Sequence, residues 1–276
     1  MRVVATLTTR PNYHSGLKET LNSLTSQFDE VYLGLPYYSI KKEKYKDFSH
    51  PKVTVVRLEE DIGPSSKILG ALMKEERSKN TLIVSVDDDY NYNPNLRNFF
   101  EEERKKDIKS GLTRVLSQSG VYIKYWNFNI LGMNGGWHDK NYFFDLYSYK
   151  DLTTIAGYAG VAYPSEIFPE TQNFIDFITK FKNDSILYRN DDVLISAYIS
   201  KLNIKKVRVA NTIKEIGKNN KDIEEFICPS PNEIFNCCYK LKEYLQKNNS
   251  FKYYSLTGLD AIIFIIFIIF IFYFFY

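Results

Sequence analysis

The chain has 276 residues, 44% of them hydrophobic, and a formal net charge of +3. That length allows one large domain or two small ones with a real core. The 36 Lys and Arg are scattered among 33 Asp and Glu, which excludes the basic footprint of a nucleic-acid-binding protein. Three cysteines, Cys228, Cys237 and Cys238, form neither a disulfide framework nor a zinc pattern, and read as free thiols of a reducing compartment.

Arg2–Thr8 reads as a first strand, too short an apolar run for a signal peptide. A polar loop, Thr8-Thr9-Arg10-Pro11-Asn12, follows it. Leu17, Leu21 and Leu24 share one helical face. Glu30–Leu35 is a second strand, ended by Pro36, and Val53–Leu58 a third. Gly63-Pro64 breaks the chain, and Ser65-Ser66 caps a helix running to about Glu76. Thr81–Val86 is a fourth, buried strand, and Asn93-Pro94 opens a helix through Phe99 and Phe100 to Lys106. This alternation predicts an α/β fold with a nucleotide-binding sheet flanked by helices. No GxGxxG follows the first strand and no GxxxxGK[ST] is present, so neither phosphate-binding fingerprint applies.

The second half is less regular. Gly120–Ile130 reads as one or two strands, and Gly132–His138 as a Gly-rich aromatic loop. Ile155–Pro164 is punctuated by Gly157 and Gly160 and implies close backbone approach. Asn190-Asp191-Asp192 precedes an amphipathic helix over Val193–Ile199, and Lys205–Val209 a last strand. The expected division is 1–210, with a nucleotide-binding half at about 1–107 and an acceptor half at about 108–210. A helical extension over 211–255 and a membrane anchor over 256–276 follow.

The anchor rests on the tail from Ala261 to Tyr276, which holds only Ala, Ile, Phe and Tyr. As a helix it reaches about 24 Å, a little short of a hydrocarbon core of about 30 Å, and Leu256–Leu259 extend it. Lys247 and Lys252 lie just before it, which predicts a single-pass membrane protein with its main domain on the cytosolic side.

The chemistry concentrates where the fourth strand ends in Asp87-Asp88-Asp89. Ligands of open α/β sheets sit at the carboxyl ends of strands. Three adjacent carboxylates call for a cation among them, and a hard divalent ion carrying a phosphorylated substrate is the natural one. A phosphatase DxDx[TV] motif fails at Asn91, and a calcium loop fails at Tyr92 and Asn98. Asp191 and Asp192 at a helix start either favour the helix dipole or supply a general base. Gly63-Pro64-Ser65-Ser66-Lys67 offers backbone donors and a Lys67 cation for phosphate, and Thr8, Thr9 and Arg10 suit a base or ribose. Trp137 and His138 suit a structural or surface role better than a sugar or metal contact.

In order, Thr8-Thr9-Arg10, Gly63-Pro64-x-x-Lys67, Val86-Asp87-Asp88-Asp89, Gly157-Tyr158-x-Gly160-Val161-x-Tyr163 and Asp191-Asp192-Val193-x-Ile195-Ser196 resemble the pattern of a GT-A fold glycosyltransferase. More narrowly, they are similar to the family-2-like enzymes of large DNA viruses, algae and bacteria, over about Met1–Val209. The resemblance implies a nucleotide-sugar donor, Mn2+ or Mg2+, and transfer to a glycan, protein or lipid-linked acceptor, with inversion. Carried over, Asp87 and Asp89 would serve the metal, with Asp89 the direct ligand. Thr8, Arg10, Lys67, Asp87 and Asp88 would serve the donor, and Asp192 would be the base, with Asp191 its rival. The alternatives are a nucleotidyltransferase on the same scaffold and an inactive membrane-bound module.

Overall fold

The computed structural model describes residues 1–12, 16–128, 133–139, 150–209, 217–218, 231–247 and 251–256. Strand β1 (Arg2–Thr8), helix α1 (Leu17–Thr25), and strands β2 (Glu30–Pro36) and β3 (Thr54–Leu58) open the chain. A 3-10 segment, Gly63–Ile68, runs into helix α2 (Leu69–Lys74), and β4 (Thr81–Ser85), β5 (Tyr90–Asn91) and α3 (Leu96–Lys109) follow. Then come β6 (Arg114–Ser117), β7 (Gly120–Phe128), β8 (Met133–Asp139), β9 (Lys150–Asp151), β10 (Thr154–Ile155) and β11 (Val161–Pro164). Helices α4 (Thr171–Thr179), α5 (Ser185–Tyr188) and α6 (Asp191–Lys201) precede β12 (Lys205–Arg208) and β13 (Gly217–Lys218). Helices α7 (Pro231–Lys240) and α8 (Lys242–Leu245) and strand β14 (Phe251–Leu256) close the described chain.

Among the described residues the main sheet has the order β3-β2-β1-β4-β11-β6-β12-β9. The first four strands are parallel. β11 runs antiparallel to both β4 and β6, and β12 is parallel to β6. The expected α/β sheet is therefore present, and the two expected halves share it. Its strand order reverses at β1, with β2 on one side and β4 on the other. That reversal opens a crevice at the carboxyl ends of β1 and β4, where open sheets take their ligands.

Strand periodicity divides the core between the two faces. Val3, Ala5 and Leu7 of β1 and Leu82, Val84 and Val86 pack with Leu17, Leu21 and Leu24 of α1 and Leu96 and Phe100 of α3. Val4 and Ile83 point the other way, into a core shared with α2, α4 and α6. Helix α6 is not amphipathic. Every residue from Val193 to Ser200 is buried, because the sheet lies on one side and the helices α4, α5, α7 and α8 on others. Tyr198 stacks on Phe168 with ring centroids 6.1 Å apart, and Cys237, Cys238, Leu241 and Leu245 join the same core.

Two segments depart from expectation. The expected loop over Gly132–His138 contains β8, which pairs antiparallel with β7 from Tyr122↔Asp139 to Phe128↔Met133. Within the expected helical extension, β14 adds to β7 in parallel. The ladder hydrogen bonds of β7 hold these sequences extended despite Gly135 and Gly136. No helix of the described residues is long and apolar enough to cross a membrane, and the expected anchor from residue 257 onward lies outside them. Cys228 and His14 lie outside them as well.

Candidate active site

Lys67 is the centre of the site. Its backbone is pressed against the sheet because Gly70 leaves no Cβ to fill the space: one added there would lie 3.1 Å from Tyr32 Cβ and 3.3 Å from Thr6 Oγ1. Thr6, buried in the middle of β1, donates its hydroxyl to the Lys67 carbonyl at 2.7 Å. Pro64 lies in the first turn of the 3-10 segment, where its missing N–H costs nothing. The expected helix to Glu76 thus begins as 3-10 and ends at Lys74.

From this anchored backbone the Lys67 side chain, 6% exposed, reaches carboxylates from two distant parts of the chain. Its ammonium lies 2.8 Å from Asp87 Oδ1, 2.5 Å from Asp191 Oδ2 and 3.8 Å from Asp192 Oδ1. Asp87 follows the end of β4, whereas Asp191 and Asp192 form the first turn of α6. The sequence placed Lys67 on donor phosphate; in the structure its charge is engaged by protein carboxylates. Burial pulls the ammonium towards neutrality, but Asp191, Asp87 and Asp192 outweigh it and hold its pKa well above the ordinary value.

Asp192 differs from Asp191. Its side chain is 33% exposed against 16%, and its Oδ1 accepts the Gly157 N–H at 3.0 Å. Burial first, and the neighbouring Asp191 second, push its carboxyl up to about 8, against the opposing pull of Lys67 and the Gly157 amide. The result is a carboxylate matched to proton transfer near neutral pH. The acid pair stands in the first turn of α6, where the helix dipole favours it, and the residue before it, Asn190, makes no side-chain capping bond.

The rest of the crevice is built from β1 and the turn after β4. Thr9 donates to Asp88 Oδ2 at 2.5 Å, tying the two strand ends together across the switch point. The Asp88 carbonyl accepts from Thr20 at 3.0 Å, which adds α1 to the same junction. Thr8 donates to the Gly34 carbonyl at 2.8 Å, and Arg10 is exposed just beyond. Asp89, next in the turn after β4, is 3% exposed. The structure therefore brings Lys67, Asp87, Asp191 and Asp192 into one cluster, with Asp88, Thr8, Thr9 and Arg10 at its β1 side.

Two contributors were given no place in the site by the sequence reading. Gly157 opens a 3-10 turn over the cluster. A Cβ there would lie well inside contact with Lys67 Nζ, 3.0 Å from Asp192 Oδ1 and 3.1 Å from Asp87 Oδ1. Tyr92, buried behind the acids, accepts the Asp87 N–H at 2.8 Å, and its oxygen lies 3.2 Å from the Tyr158 carbonyl. It joins the β4 turn to the Gly157 turn. Its signal was an aromatic residue at the third position after the acid run. That of Gly157 was the glycine spacing itself, without a partner to assign it to. Trp137 and His138 belong to β8.

Neither a protein-family model nor a curated protein matches the sequence. Among solved structures, S. aureus TarS 1–349 in complex with UDP-GlcNAc is similar with a TM-score of 0.45 and 13% identity, over 88% of this chain and 66% of that one. A second structure of TarS 1–349 gives a TM-score of 0.43 and 12% identity, over 88% and 65%. HddC from Yersinia pseudotuberculosis gives a TM-score of 0.26 and 16% identity, over 61% and 80%. The chain spans about two thirds of the length of the TarS fragment, 66% in the complex with UDP-GlcNAc.

Proposed function

We propose that the protein is a glycosyltransferase that moves a sugar from a nucleotide-sugar donor to an acceptor hydroxyl. One observation carries the reading: at the switch point of a largely parallel sheet, the acidic end of β4 meets a second acid pair at the start of α6, through one buried lysine. Thr8, Arg10, Asp87 and Asp88 supply the hydroxyl, cationic and carboxylate groups suited to a ribose, a base and a diphosphate. Asp192, the more open of the second pair, takes the proton of the attacking hydroxyl. Attack in line, opposite the departing diphosphate, inverts the anomeric carbon.

The donor set suits a hard divalent ion. Lys67 supplies one positive charge against Asp87, Asp191 and Asp192, so an anionic diphosphate needs further cationic charge to approach. One or two protein carboxylates would suffice for Mg2+ or Mn2+ arriving with a diphosphate. Gathering three protein ligands is thus unnecessary, and no such group occurs among the described residues. Asp87, 32% exposed at its side chain, and the buried Asp89 are the residues that would hold it. When bound, such an ion neutralises charge that develops on the leaving diphosphate. The hydrophobic tail extends the reading to an enzyme tethered at the cytosolic face of a membrane, with a glycan, protein or lipid-linked sugar as acceptor.

The test is a thermal-shift panel of UDP-, GDP- and CMP-sugars, each with Mn2+ and with EDTA, followed by product analysis. Stabilisation by at least one donor and release of a nucleoside diphosphate or monophosphate support a glycosyltransferase. Release of a sugar 1-phosphate from a UDP- or GDP-sugar points to nucleotidyl transfer instead, and a panel without any shift defeats the reading.

A further inference from the structure

We infer that Lys67 is a positioning residue for the Asp191–Asp192 pair and not a ligand of the donor phosphates. The inference rests on the transferase reading and assigns the lysine a place within it.

The first ground is that the ammonium already sits among three carboxylates, hydrogen-bonded to Asp87 and in ion-pair contact with Asp191. Asp87, Asp191 and Asp192 surround Nζ at 2.8, 2.5 and 3.8 Å, with the side chain only 6% exposed. A phosphate replacing any of them would lie against the other two carboxylates. The second ground is that the lysine is fixed at both ends. Thr6 holds its carbonyl at 2.7 Å, and the Gly157 backbone passes over its tip where a side chain has no room. The third ground is what the contact joins. Asp87 belongs to the turn after β4, whereas Asp191 and Asp192 begin α6. Without a shared cation these carboxylates repel one another and the start of α6 turns away from the crevice. With it, Asp192 is left at the open edge of the cluster, its Oδ1 held by the Gly157 amide at 3.0 Å. The lysine thereby aims the base, while the donor is left to the β1 and β4 ends.

The experiment uses the full chain and four proteins: wild type, Lys67→Gln, Lys67→Arg and Gly157→Ala. UDP and GDP, each with Mn2+, are titrated by calorimetry, and turnover is followed as hydrolysis of the matching UDP- or GDP-sugars. We expect Lys67→Gln to change the nucleoside diphosphate Kd by less than about fivefold and to lower kcat by about a hundredfold, as loss of base positioning does. Lys67→Arg, which keeps the charge, recovers part of that loss. Gly157→Ala presses hardest on the flexible tip of Lys67 and less closely on Asp192 and Asp87, at 3.0 and 3.1 Å, and gives the same split in milder form. It also carries the test should Lys67→Gln not fold. A Kd weakened by more than about fivefold in Lys67→Gln, or in Gly157→Ala where it stands in, overturns the inference, because it marks a phosphate ligand. So does an unchanged kcat in both variants, or an arginine no better than glutamine. Wild-type protein that binds neither nucleotide defeats the transferase reading and this inference together. Binding and turnover by wild type with the wrong split defeats this inference alone.

Discussion

Replacing Asp192 by Asn separates the base from the fold. Burial and Asp191 raise its carboxyl from 3.8 to about 8 in the folded state. Between those values the folded protein holds a proton that the unfolded chain has released, so wild-type stability falls as pH rises through this window. A shift of that size corresponds to about 6 kcal/mol at 1.36 kcal/mol per unit. The side chain is 33% exposed, however, and solvent screening reduces the effect to about 2 kcal/mol. Asparagine keeps the acceptor for the Gly157 N–H and carries no charge. The variant therefore matches wild type near pH 4 and becomes the more stable protein above pH 8, by about 4–8 °C in Tm. Thermal melts of both proteins from pH 4 to pH 9 check this, and transfer activity of the variant falls by about 10²–10⁴-fold. A variant no more stable than wild type at pH 9, or a difference that does not change with pH, refutes the reasoning.

Three further expectations follow from the same contacts. Tyr92→Phe removes the hydroxyl shared by the Asp87 N–H and the Tyr158 carbonyl, and costs about 1–3 kcal/mol, read from urea unfolding, with a loss of turnover. Arg104 is 1% exposed, and its guanidinium bonds the Leu112 carbonyl at 3.1 Å and Glu166 Oε1 at 2.8 Å. Arg104→Ala leaves Glu166 without that partner and lowers stability by about 3–5 kcal/mol, with a lower Tm as the measurement. Burial pulls the Lys206 ammonium down from 10.5 to about 7, so wild-type stability rises with pH across that interval. In Lys206→Met the rise disappears, which chemical denaturation at pH 7 and pH 10 detects.

The parallel strands were legible because burial on both faces demands continuous apolar runs, as in Thr81–Val86. Helix α1 was legible because one face is wet and its leucines keep the helical period. Helix α6 misled for the converse reason. Dry on every side, it has no polar face to mark it, and Asp191 and Asp192 lie inside its first turn rather than before it. Strand β8 was obscured by Gly135 and Gly136, which signal a turn locally while pairing with β7 holds them extended. At the site, the residue types were readable and their partners were not. Nothing near Lys67 in sequence indicates that its ammonium meets Asp191, because β4, β11 and α6 must first assemble to bring them within 2.5 Å. Gly157 was visible as a demand for close approach, and only the fold identifies Lys67 as what it approaches.

Calorimetric titration of UDP-, GDP- and CMP-sugars with Mn2+ into wild type and Asp87→Ala tests the site most directly. The account predicts saturable binding of at least one donor by wild type and its loss in the variant, with the variant still folded by circular dichroism. Absence of heat with every donor, or equal affinity in the two proteins, contradicts it.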